Sequence, residues 1–198
     1  MVRLAARLQS LNATAQVAQP QLLEELELRS QPLREQWESR GPGMLAALRR
    51  LTEPEVVVDE ADVILVQPVL GGGGAAHSLY NSLHIEAVLA NPIAELPEIV
   101  RLGWLWAQLN LDLPKYHEHA APGSLVSIGP LALLLPALAA AEEVELAYFS
   151  RATIATAQQA WQAPAADVDV LWSWWETYCA TQPTWSVALG ALEQMLSE

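Results

Sequence analysis

Between residues 97 and 111 the chain writes a helix with almost no polar side. Ile99, Val100, Leu102, Trp104, Leu105, Trp106, Ala107 and Leu109 are apolar, while Glu98, Arg101, Gln108 and Asp112 fall on one narrow stripe. Such a helix must be covered by other elements on most of its circumference, so the rest of the chain has to supply a shell around it. Pro97 suits the first helical turn, where its missing N–H costs nothing, and Pro114 marks the end.

Ahead of it, Leu83, Ile85, Ala87 and Leu89 alternate with Ser82, His84, Glu86 and Val88, the period of a half-buried strand. Asn91-Pro92 then forces a turn. Two further strands are expected over 55–59 and 62–67 by their β-branched content, joined by a hairpin turn at 59–62. The sequence thus predicts a mainly helical α+β fold, with a small antiparallel sheet of about three strands packed on the central helix.

The remainder reads as helices. Residues 2–17 carry Val2, Leu4, Ala5, Leu8, Leu11 and Ala15 at helical spacing, an N-terminal arm (1–19) able to pack on the body or on a second copy. Short helices follow over 21–30, 32–39 and 44–51, the last two separated by Gly41-Pro42-Gly43. C-terminal helices are expected over about 130–148, 152–162, 168–180 and 185–197, with Asp167 and Thr184 as caps. The whole, 1–198, reads as one domain.

Charge divides the chain. Residues 1–50 hold seven basic and five acidic groups, whereas residues 51–198 hold three basic and eighteen acidic, giving −13 in all. An acidic body repels phosphate, so neither nucleic acid nor an anionic membrane is an expected partner. The most apolar run, 125–141, is short for a bilayer and carries Pro130 and Pro136, which suits a buried helix. A lone cysteine, Cys179, excludes an internal disulfide and fits a cytoplasmic setting. Beside Tyr178 in a tryptophan-rich helix, it is expected to be a buried thiol.

Two groups of residues carry chemistry. All four histidines, His77, His84, His117 and His119, lie within 43 residues. His84 and Glu86 share a strand face, and His117 and His119 flank Glu118. Imidazoles and carboxylates in that number form a candidate site for zinc or another divalent ion, with ligands from His77, His84, Glu86, His117 and His119. The second group is LWSWWETYC at 171–179. Trp172, Trp175 and Cys179 are expected inward, leaving Trp174 and Tyr178 as a second aromatic row available for binding.

Other motifs are weaker. Gly71 to Gly74 lead into AAHSLYNS with no lysine or arginine nearby, so a phosphate-binding loop is not supported and a loop over a cleft is expected. No GxSxG elbow occurs. The order strand, turn, helix resembles that of zinc peptidases of the zincin type, where an edge strand precedes a helix bearing HExxH. The helix here reads LPEIVRLGW, with Glu98 but no histidine at either ligand position. That resemblance implies a catalytically silent relative.

Two functions follow as expectations. The first is a non-catalytic interaction or scaffold protein, homo-oligomeric or bound to a protein partner, with no cofactor. The second is a metal-dependent hydrolase-like protein using the histidine cluster.

Overall fold

A computed structural model describes residues 2–67, 73–87 and 93–197, apart from the side chains of Val2, Arg3 and Leu8. The mainly helical α+β architecture is as expected. Helices α1 (Val2–Ala18) and α2 (Leu22–Leu51) precede three strands, β1 (Asp62–Val66), β2 (Gly74–His77) and β3 (Ser82–Glu86). Then come α3 (Glu98–Ala107), α4 (Leu125–Glu143), α5 (Arg151–Ala160), α6 (Val168–Thr181) and α7 (Trp185–Ser197). Val88, Leu89, Asn91-Pro92 and Gly71-Gly72 lie outside the described residues.

The sheet is mixed, a correction to the antiparallel one expected. Its order is β1-β3-β2, with β1 parallel to β3 and β2 antiparallel to it. Residues 55–59 form no strand, so the expected hairpin at 59–62 is absent. Pro54–Val56 make a 3-10 turn instead. The carbonyls of Val57 and Val58 are taken by side chains rather than by a ladder, since both accept from Arg49 and Val58 also accepts from the Trp106 indole. The third strand comes from GAAH, which has little intrinsic strand preference and is held by pairing to β3. Asn81, in the left-handed region at φ 48°, turns the chain into β3.

Helix α2 runs unbroken through Pro32 and Pro42, where separate short helices were expected. A proline inside a helix removes one hydrogen bond and costs about 3 kcal/mol. Burial compensates. Gly41 is buried because the Trp37 ring lies where a Cβ would sit, at 2.6 Å, and that ring stacks on Trp106 with centroids 5.1 Å apart. Gly41 is therefore a packing position here and not a break, while Pro42 and Gly43 are exposed.

Helix α3 is the enclosed element its sequence demands. Every residue from Ile99 to Ala107 is buried, Arg101 included. It is covered by α2, α4 and the sheet. Helix α4 is the one described helix long and apolar enough to cross a membrane, yet 72% of its apolar window is buried inside the protein. It packs against α2, α3, α5, α6 and α7 as a core helix. The Trp185 backbone N–H, opening α7, donates to Glu53 at 2.7 Å, and Lys115 holds the same carboxylate at 3.0 Å. A distant acid thus meets the positive end of α7.

Candidate functional site

Among the described residues, a strongly charged cluster in the core is built where β3 ends and α3 begins. Arg101 is 0% exposed. Its Nη1 donates to the Gly73 carbonyl at 2.9 Å, and its Nη2 donates to the Glu86 carbonyl at 3.0 Å and to the Glu98 carboxylate. Glu86, itself buried, accepts from the Gly73 N–H at 3.2 Å. The Arg101 Nε has no partner among the described residues. Burial pushes the Glu98 carboxyl up, against the pull of Arg101, and burial lowers the guanidinium. With its fork turned onto backbone carbonyls and Glu98, Arg101 ties β2, β3 and α3 together. The sequence placed Arg101 on a polar stripe and missed its burial.

The same residues bear on the zincin resemblance. The positions at which an HExxH helix carries its two histidines hold Pro97 and Arg101, and the guanidinium takes the Glu98 carboxylate. The preceding strand, β3, is the central strand of the sheet rather than an edge. Helix α3 has no zincin-type ligand set.

The histidines divide between two places. His77 closes β2 and His84 lies at the centre of β3. Because Ala75 is the cross-strand partner of His84, His77 is its diagonal neighbour on the same face. Their rings meet, Nε2 of His77 to Nδ1 of His84 at 2.8 Å. His119 sits elsewhere, its Nδ1 3.0 Å from the Ser186 hydroxyl on α7. His117, itself exposed, ends the 3-10 turn Pro114–His117. Among the described residues no three His, Cys, Asp or Glu side chains stand together as a metal site. The five-residue set His77, His84, Glu86, His117 and His119 therefore does not converge on a metal site, and within it His77 and His84 are in contact.

The aromatic row also turns out differently. Leu171, Trp174, Trp175 and Tyr178 form the buried stripe of α6, whereas Cys179 is exposed, a correction to both the inward set and the buried thiol. Positions i, i+3, i+4 and i+7 make one face, which takes Trp175 from the expected inward row together with Trp174 and Tyr178 from the other. Trp174 donates to the Ala188 carbonyl at 2.8 Å and stacks on Tyr178, and both meet Trp185 edge-on. Burial pushes the Tyr178 phenol up to about 12, with Glu53 adding to it. Trp174 and Tyr178 are therefore core residues closed over by α7, not an open binding row.

What remains open is the N-terminal arm. Every described side chain of α1 is exposed, Leu4 and Leu11 among them. The exposed apolar side chains Leu4, Leu11, Val17, Leu23 and Leu28 are between 59% and 84% accessible. Positions 4, 8, 11, 15 and 18 are Leu, Leu, Leu, Ala and Ala, alternating four- and three-residue steps as a paired-helix seam does. This step pattern was legible in the sequence, though its lack of cover was not. Further along, Leu33, Trp37, Val63, Leu65 and Leu102 line a mostly apolar groove of about 200 Å³ between α2, α3 and β1. Compared with models of known protein families, with curated proteins and with solved structures, the chain matches none of them.

Proposed function

We propose that this chain is a non-catalytic interaction protein that assembles with a second copy of itself through its N-terminal arm. The carrying observation is the leucine seam of α1, exposed along its whole described length. A helix of 17 residues whose described side chains have no tertiary cover is marginal in water, so a partner surface is what would hold it.

A second copy suits the arm for two reasons. The four-three spacing is self-complementary, and an isologous pair buries the same seam on both sides. The arm is also the basic part of the chain: α1 holds Arg3 and Arg7 and no acid, while residues 51–198 carry a net −15. An arm reaching toward another copy's body meets attraction. Antiparallel pairing also separates the two Arg3/Arg7 pairs, which parallel pairing would bring side by side.

The test is light scattering of the tag-free chain after size exclusion, across a wide concentration range. The expected outcome is a mass that rises to twice the chain mass, and that stays single in Leu4→Ser with Leu11→Ser. A wild-type chain that remains single at the highest concentration overturns the reading. Capture of a different protein by the arm would then replace it.

A further inference from the structure

We propose that His77 and His84 form a two-histidine site for a borderline divalent cation such as zinc or nickel, on the face of the sheet that the two side chains share. The proposal stands independently of assembly through α1. It rests on how the two rings are held.

His84 occupies the middle of the central strand, fixed on one side by its partner Ile64 in β1 and on the other by Ala75 in β2. His77 is the diagonal neighbour, so the two imidazoles rise from a backbone already set by two ladders. Side chains on paired strands place ligands more firmly than side chains on loops. Nε2 of His77 and Nδ1 of His84 face each other at 2.8 Å, with ring centres 5.1 Å apart.

Zinc holds imidazole nitrogens at 2.0–2.1 Å, so two nitrogens at a tetrahedral angle are about 3.3 Å apart and their ring centres about 5 Å apart. The ring centres are already at that separation. Only a turn of each ring is needed, widening the nitrogen gap by about half an ångström. In the empty contact one ring N–H donates to the other ring's nitrogen. A metal takes that hydrogen's place when the donor ring carries its proton on its other nitrogen instead, leaving His77 to ligate through Nε2 and His84 through Nδ1. No net proton change is required.

The donor set also selects the ion. Two imidazoles with water in the remaining positions suit zinc, nickel or copper(II). Magnesium and calcium want oxygen donors, and no carboxylate joins the pair among the described residues. His77 is exposed and His84 half-buried, so an ion has an open approach.

The experiment is isothermal titration of the tag-free full chain with zinc chloride, nickel chloride and magnesium chloride in turn. Zinc and nickel are expected to saturate at one ion per chain, and magnesium to give no binding. His84→Ala and His77→Ala should each weaken zinc by tenfold or more, while His117→Ala with His119→Ala should leave it unchanged. Circular dichroism accompanies each variant. If His84→Ala perturbs the sheet, His77→Ala at the exposed strand end carries the test alone. Zinc affinity unchanged in His77→Ala, loss only in the His117/His119 variant, or no saturable binding by the wild type overturns the proposal.

Discussion

Arg101 shows how one side chain can set the terms for its neighbours. Removing it would leave half-buried Glu98 and buried Glu86 beside orphaned carbonyls, so Arg101→Ala should destabilise by about 3–5 kcal/mol, read by urea unfolding at neutral pH. The pH dependence follows from burial. Glu98 is already raised, and without the guanidinium it rises further, so the folded state binds its proton more tightly than the unfolded state does. Stability then falls as pH rises through and above the ordinary glutamate range near 4.5, and Arg101→Ala should regain stability on mild acidification. A variant whose stability does not rise on mild acidification would remove Arg101 from this role.

Tyr178 gives the alkaline counterpart. Its phenol is raised from 10.0 to about 12, so between those values the unfolded chain ionises while the folded chain does not. Stability therefore drops as pH rises through that window, by about 1.4 kcal/mol per unit. Tyr178→Phe should lose little at neutral pH, since its hydrogen bond to the Thr52 carbonyl is long at 3.4 Å, and should show a flatter decline from pH 9 to 11. Equal slopes for the two proteins would count against the buried phenol.

At the scale of elements, what was legible is what depends on local pattern. The last three helices fall within two residues of their expected bounds, and Asp167 caps α6 by accepting from the Asp169 N–H at 2.8 Å. Period and capping are local, so the sequence alone carries them. Elements decided by distant partners were not legible. GAAH becomes a strand through β3, the carbonyls of Val57 and Val58 are claimed by Arg49 and Trp106, and α2 crosses Pro42 where Trp37 packs on Gly41 and Trp106. The candidate sites divide the same way. His77 and His84 meet because β2 forms, an element the sequence hides. Trp174 and Tyr178 are closed off by Trp185, from a helix the sequence predicts but cannot orient.

For the whole molecule the question is how an acidic, tryptophan-rich body and a basic leucine-lined arm belong to one chain. The core is enclosed without α1, which adds no residue to it among those described. Deleting residues 2–18 should therefore leave the melting midpoint of the dilute chain unchanged while abolishing assembly. Ionic strength separates the two forces that would hold the arm. Attraction between exposed charges is screened over about 10 Å at 0.1 M salt, whereas apolar burial is not. If the arm of one copy lies against the acidic body of another, adding salt should weaken assembly in sedimentation experiments and slow association. If the leucine seam pairs only with its twin, salt should leave assembly unchanged, because apolar burial is not screened and antiparallel pairing keeps the two Arg3/Arg7 pairs apart. The unequal charges of arm and body, +2 for residues 1–50 against −15 for the rest, favour the first outcome.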